Sequence, residues 1–203
     1  MDQQFWDDQY RSRDQLFSGN PNGVLVTEVT GMTPGEALDV GCGEGGDALW
    51  LARQGWQVTG VDISQVAVDR AARIAAAEGI ENVRFAQLDL TSAAPAAGAY
   101  DLVTMQYLAL PVESGEAPLR GLLAAVAPGG TLLVGTHDLA DLPPRKGDET
   151  FDPAAFHDVA RSLAALLDDD WTVVVDESRL RTAPAPEGTP HVHDVVLRAR
   201  RAA

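Results

Sequence analysis

Residues 37–52, Ala37-Leu38-Asp39-Val40-Gly41-Cys42-Gly43-Glu44-Gly45-Gly46-Asp47-Ala48-Leu49-Trp50-Leu51-Ala52, decide the architecture. A short apolar run reads as a strand. It meets a glycine cluster, and Ala48, Leu51 and Ala52 then fall on one face of a helix that Gly55 stops. Gly41, Gly43 and Gly46 spell G-x-G-x-x-G between the two. Glycine lets the backbone turn sharply and lets a ligand lie against it with no Cβ in the way. Asp62 follows Gly41 by 21 positions, at the end of a second apolar strand, residues 57–61. A carboxylate there can accept two hydrogen bonds from a ribose diol.

Downstream the alternation continues. Ser64 is set to cap a helix whose buried stripe is Ala67, Ala71, Ile74 and Ala75, and Gly79 ends it. Strands follow at 83–88 and 100–105. Leu119, Leu122, Leu123 and Val126 mark a helix broken by Pro128-Gly129-Gly130, and a fifth strand spans 131–136. Asp152-Pro153 opens a helix carrying Phe156, Val159, Ala160, Leu163 and Leu167. Two late strands, 171–175 and 192–197, are joined by a proline-rich loop without a helix, and so are antiparallel. Strands alternating with helices make a doubly wound parallel α/β sheet, which binds ligands beyond the carboxyl ends of its strands. Upstream, residues 1–30 form a polar-aromatic leader. Residues 31–203 form a single domain.

The chain has 203 residues, 15 Lys+Arg and 30 Asp+Glu, for a net charge of −15. That field weighs against a nucleic-acid partner and favours cationic ligands. The lone Cys42 excludes an internal disulfide, no apolar run is long enough to span a membrane, and the N-terminus lacks a signal-peptide pattern. A cytoplasmic setting is expected.

The glycine loop with Asp62 fits nicotinamide dinucleotides and S-adenosylmethionine alike. Asp39 at the end of the first strand would oppose a pyrophosphate but suits an ammonium and a sulfonium. Asp89 at the end of the third can accept from an adenine amino group. The blocks LDVGCGEGG, VTGVDIS, FAQLDL, YDLVTMQYL and APGGTLLVG together resemble those of class I S-adenosylmethionine-dependent methyltransferases over roughly residues 36–137. The resemblance implies a Rossmann-like seven-stranded sheet of order 3-2-1-4-5-7-6 with strand seven antiparallel. It implies S-adenosylmethionine as methyl donor and S-adenosylhomocysteine as product. It also implies that Gly41, Cys42 and Gly43 pack on the amino-acid part with Asp39 near its ammonium. Asp62 would hold the ribose with Ile63 beside the adenine, Asp89 and Leu90 would meet the adenine edge, and Gln106 would lie near the methionine moiety. The leader FWDDQY and the compact C-terminal half are similar to the tellurite-resistance and thiopurine methyltransferase-like branch, which acts on small acceptors.

In-line methyl transfer needs a base for an alcohol or phenol and none for a soft thiolate. Three histidines are expected at the active edge: His137 at the end of strand five, and His191 and His193 at the start of strand seven, on one side if both are in the strand. Each is a candidate for acid-base work, against the alternative of a hydrated strand end. His157 reads as structural or exposed, and no metal site is expected. Tyr107 lines the acceptor pocket or caps the core. Trp6 and Tyr10, four apart on a helical leader, form a lid over the cofactor or anchor the leader. Arg145 and Lys146, near the mouth, read by default as solvated surface cations, with steering of an anionic acceptor as the alternative. The acceptor is expected to be a small molecule: a thiol, a chalcogen or metalloid species, or a phenol. The competing readings are an NAD-dependent oxidoreductase and a non-catalytic cofactor-binding protein.

Overall fold

The computed structural model describes residues 1–141, 152–182 and 191–203. Seven strands form one sheet: β1 (Glu36–Val40), β2 (Gln57–Asp62), β3 (Val83–Gln87), β4 (Tyr100–Gln106), β5 (Val126–His137), β6 (Trp171–Leu180) and β7 (His193–Arg201). Their order is β3-β2-β1-β4-β5-β7-β6. β1 to β5 are parallel, and β7 pairs antiparallel with both β5 and β6.

Two apolar layers follow from the period-two alternation of the strands. On one face α2 (Gly23–Val29) and α3 (Gly46–Arg53) bring Val24, Leu25, Val29, Ala48, Leu51 and Ala52 onto Ala37, Val58, Leu102, Leu133 and Val196. On the other, α5 (Ala117–Ala125) and α6 (Val159–Ala164) bring Leu119, Leu122, Val159 and Leu163 onto Leu38, Val103, Met105, Leu132 and Leu197. α4 (Gln65–Glu78) is capped by the Ser64 hydroxyl, which accepts from the Ala67 N–H, and closes at Gly79 in the left-handed region (φ 66°). Gly60 lets two side chains meet across β2: a Cβ there would lie 2.7 Å from the Phe85 ring and 3.1 Å from Cys42 Sγ.

Several boundaries differ from the sequence reading. Ile74 is 39% exposed, because the buried stripe of α4 is Ala67, Val68, Ala71 and Ala75 and leaves Ile74 at its margin. Val126 belongs to β5 and not to the preceding helix, since it pairs with Tyr100; the Pro128-Gly129-Gly130 stretch is absorbed as an irregularity before Thr131 pairs with Leu102. The helix expected from Asp152 is divided. Asp152 caps only the 3-10 turn Pro153–Ala155, and Asp158 caps α6. Between them Phe156 bridges to Pro111, and the His157 N–H donates to the Leu110 carbonyl at 2.8 Å. Leu167 therefore lies past the helix. β6 and β7 are longer than expected, and residues 88–99 join β3 to β4 through turns without a helix.

Candidate ligand-binding site

The carboxyl edge of the parallel strands carries the glycine loop. Gly41, Gly43 and Gly45 all hold positive φ (70°, 52° and 90°), which favours glycine at each. The loop is fixed from below: the N–H groups of Gly41 and Cys42 donate to the Val61 carbonyl at 2.8 and 3.0 Å. Asp62 ties it to the end of β2. Its Oδ2 accepts from the Gly43 N–H at 2.9 Å and its Oδ1 from the Ser64 N–H at 2.8 Å. A carboxylate has about four lone-pair directions, so Asp62 retains acceptor capacity toward a diol.

Three carboxylates converge beneath and beside the loop. Asp39 is 2% exposed and its Oδ2 has no hydrogen-bond partner. Burial pushes its carboxyl well above the usual carboxylate range, and the charges of Asp47 and Asp62 add to the rise. Burial likewise raises Asp47 and Asp62. A cationic head group relieves such a cluster and a pyrophosphate aggravates it. The orphaned Asp39 oxygen therefore fits an ammonium- and sulfonium-bearing ligand. Cys42 is buried, and that burial pushes its thiol well up, so it serves as a small packing residue and not as a nucleophile.

The leader crosses this loop. Its helix α1 (Gln3–Arg11) sets Tyr10 at 3% exposure, with its hydroxyl 3.0 Å from where a Cβ on Gly43 would sit. Trp6, Tyr10 and Phe17 form a chain of ring contacts at 6.3 and 6.1 Å. Buried carboxylates fasten the leader along its length. Asp7 accepts from the Ser64 hydroxyl at 2.6 Å and from the Val66 N–H at 3.2 Å. Glu44 accepts from the Leu16 and Phe17 N–H groups and pairs with Arg70 at 2.9 Å. Asp47 accepts from the Asn22 backbone and side chain at 2.6 and 2.8 Å. Sequence reasoning passed over Asp7, Glu44 and Asp47, because the partners that give them their role lie far away along the chain.

Asp89 and Leu90 follow β3, and Asp89 Oδ1 accepts from the N–H and hydroxyl of Thr91. Ile63 follows Asp62, and its carbonyl accepts from the Gln87 side chain. Gln106 is 8% exposed; its Nε2 donates to Thr104 Oγ1, while its Oε1 has no partner and faces Gly135, where a Cβ would collide with it.

Past Gln106 the chain enters a second cluster. Tyr107 is the sole described residue other than glycine with positive φ (57°). Its N–H donates to the Gly135 carbonyl at 2.7 Å, and its hydroxyl donates to Asp194 at 2.8 Å and accepts from Arg181 at 2.9 Å. Arg181 also pairs with Asp194 at 2.9 Å. The His137 ring stacks on Tyr107 (4.3 Å between centroids) and on His191 (3.6 Å, 16° between planes). Burial, then His191 and Arg181, pull the His137 pKa down to about 4, and burial, then Arg181, lower that of His191. Burial and the Asp194 carboxylate push the Tyr107 phenol up.

His191 precedes β7, so strand alternation does not place it beside His193. His193 turns to Asp141, whose carboxylate takes the imidazole Nδ1 at 2.9 Å together with the N–H groups of Val192 and His193. These bonds hold the Asp141 carboxyl down at about 2. His157 meets Ser162 at 3.3 Å and stays structural. Arg181 and Asp194 were missed because pairing of β7 with β5 and β6 brings them to the edge from the last segments of the chain, and Asp141 because its 3-10 turn just past β5 reads in sequence as loop. Arg145 and Lys146 lie outside the described residues. A cavity of about 240 Å³ opens between Met1 and the segments carrying Pro111, Val112, Glu113, Ala155 and Phe156. Among the described residues no group of His, Cys, Asp or Glu is arranged to hold a metal, and no helix is long and apolar enough to cross a membrane.

Residues 37–130 match a family described as a methyltransferase domain. A 140-residue stretch, 68% of the chain, is 31% identical to the 2-heptyl-1-hydroxyquinolin-4(1H)-one methyltransferase of Mycobacteroides abscessus; the match spans 62% of that relative. Among solved structures, 98% of the chain superposes on 91% of a protein studied for the conversion of a disulfide bond into a thioacetal group during echinomycin biosynthesis. That match has a TM-score of 0.76 at 25% identity. TehB from Haemophilus influenzae shares the fold, with a TM-score of 0.65 at 18% identity over 97% of this chain and 66% of that one.

Proposed function

We propose that this chain, whose sheet and glycine loop are those of the class I S-adenosylmethionine-dependent methyltransferases, binds S-adenosylmethionine and methylates a small organic molecule. The observation that carries the reading is the loop of three positive-φ glycines set over Asp39, whose buried oxygen lacks a partner. Asp39 receives the ammonium, Gly41, Cys42 and Gly43 lie along the amino-acid part, and Asp62 takes the ribose. Ile63, Asp89 and Leu90 flank the adenine, and Gln106 lies by the methionine portion. The bound donor supplies an electrophilic methyl group. Trp6 and Tyr10 on α1 cover the loop, keep water out and hold the donor's orientation. The leader of residues 1–30 thus acts as a lid on the domain of residues 31–203.

On the acceptor side His137, His191 and His193 stand at the same strand edge. His193, oriented by Asp141, is the residue placed to move a proton. The acceptor is a thiol, a chalcogen or metalloid species, or a phenol. The leader and compact C-terminal half favour the tellurite-resistance and thiopurine methyltransferase-like branch. The relative acting on a hydroxyquinolinone supports a flat heteroaromatic acceptor. A net charge of −15 disfavours RNA as substrate, although some relatives are ribosomal RNA methyltransferases. The setting is cytoplasmic.

Calorimetric titration with S-adenosylhomocysteine and with NADH tests the cofactor; binding of the first in preference to the second is expected, and the reverse order overturns the reading. Transfer of radiolabelled methyl to a panel of thiols, phenols, amines and metalloid oxyanions then tests catalysis. Cofactor binding with no transfer to any of them would make this a non-catalytic binding protein.

A further inference from the structure

We propose that Tyr107, His137, His191 and Arg181 form the recognition site for the acceptor, and that it is built for a planar conjugated molecule presenting an oxyanion, of the acidic phenol or enol class. The inference rests on the methyl-transfer reading above.

Position comes first. Tyr107 continues directly from β4, and its successor Leu108 approaches the glycine loop so closely that a Cβ on Gly41 would lie 3.0 Å from Leu108 Cδ1. The cluster is therefore next to the cofactor loop, one residue removed. Tyr107 holds this place in a left-handed conformation that a tyrosine rarely adopts. The restraint comes from Arg181 and Asp194 on its hydroxyl, with the guanidinium 5.2 Å from its ring centroid. Strain kept in place by surrounding bonds is characteristic of functional sites.

Shape comes second. Tyr107, His137 and His191 form a column of near-parallel rings. His191, just before β7, stands at one end of that column. Among the described residues no group of His, Cys, Asp or Glu is arranged to hold a metal ion, so the column is not a metal site.

Unspent hydrogen bonding comes third. His137 Nδ1, His191 Nδ1 and Arg181 Nε are each buried without a partner. Buried polar atoms are nearly always satisfied, so three in one cluster point to a missing hydrogen-bonding group. Arg181 Nε can only donate, and a neutral imidazole can present N–H at Nδ1. Their common complement is a strong acceptor such as a phenolate or enolate oxygen. The groups facing the site also say in which form it binds. Asp194 is committed to Tyr107 and Arg181, Asp141 is committed to His193, and His137 stays neutral down to about pH 4. His193, the residue placed to move a proton, is bonded to Asp141 through Nδ1 and is not part of the stacked column, so the molecule reaches the column already ionised.

The probe is 4-nitrophenol, whose visible absorption reports ionisation, with nitrobenzene as the flat neutral control and acetate as the anion without an aromatic ring. The protein is first titrated with S-adenosylhomocysteine. 4-Nitrophenol is expected to bind as its phenolate about tenfold more tightly than as the phenol, lowering its apparent pKa by about one unit. It should also shift the imidazole resonances of His137 and His191, while acetate and nitrobenzene bind weakly. Arg181→Gln should abolish the preference for the phenolate without altering S-adenosylhomocysteine affinity. Should that variant fail to fold, His191→Gln, which lies outside the strands, should weaken phenolate binding about tenfold. Nitrobenzene binding as tightly as the phenolate, silent histidine resonances, or an unchanged preference in a folded Arg181→Gln variant would each overturn the proposal. Failure of S-adenosylhomocysteine itself to bind would sink the methyltransferase reading instead.

Discussion

Asp7→Ala tests whether the leader is a lid. The Asp7 carboxylate accepts two bonds from the start of α4, from the Ser64 hydroxyl at 2.6 Å and the Val66 N–H at 3.2 Å, and Ser64 is fully buried. Hydrogen bonds to a charged acceptor contribute about 1.5–3 kcal/mol each. Part of that sum returns through water entering the gap and through relief of the repulsion that Asp7 exerts on Asp62. The net loss in leader docking is therefore about 2–4 kcal/mol, which shifts the docked-to-undocked ratio by roughly 30- to 1000-fold. Amide hydrogen exchange of residues 3–11 measures that shift directly, and calorimetry with S-adenosylhomocysteine measures its consequence. Faster exchange in α1 with weaker cofactor binding is expected. Unchanged protection of α1 would refute the energetics. Faster exchange with undiminished affinity would make the leader an anchor that contributes nothing to binding.

Other perturbations address the remaining parts of the site. Asp62→Ala removes the carboxylate that accepts from Gly43 and Ser64 and that we assign to the ribose, so S-adenosylhomocysteine affinity should fall by about tenfold or more in calorimetry, and retention of wild-type affinity would contradict the assignment. Gly60→Ala should lower stability by about 1–3 kcal/mol in denaturant titrations, because the added methyl meets the Phe85 ring at 2.7 Å; an unchanged midpoint would show that this layer can shift. His137 has a folded pKa of about 4 against an ordinary value of 6.5, so protons bind the unfolded chain first. Its stabilising contribution is complete above about pH 6.5 and lost progressively as pH falls toward 4. After discounting for partial exposure the loss is about 1–2 kcal/mol. His137→Gln should flatten that part of a melting-temperature profile, and an identical pH slope in the variant would count against a buried neutral imidazole.

The parallel sheet was legible because local and global signals agree there. Leu38 and Val40 face one layer, Ala37 the other, and Ser64 and Gly79 bracket α4 by cap chemistry that needs no tertiary contact. The segment after Asp152 was misread because tertiary hydrogen bonding outweighs helical periodicity: Phe156 is drawn back to Pro111 and His157 to Leu110, so the helix starts only at Val159. The glycine loop and its acids lie close in sequence and could be read as one motif. The acceptor side could not. Arg181, Asp194 and Tyr107 are separated by up to 87 positions and meet only because β7 inserts antiparallel between β5 and β6. The fastening of the leader by Asp7, Glu44 and Asp47 was hidden for the same reason, since its partners lie in distant helices.

The connection from β3 to β4 runs through turns alone, so the flank of the crevice beyond Asp89 has no helical wall. A purine lodged there would bring its exocyclic amine to the Asp89 carboxylate at a loop-built edge. Donor analogues carrying one substituent at that nitrogen keep an N–H for Asp89 and should be accommodated with modest loss, whereas doubly substituted ones should not, which would make this scaffold a starting point for orthogonal labelling with tagged cofactors.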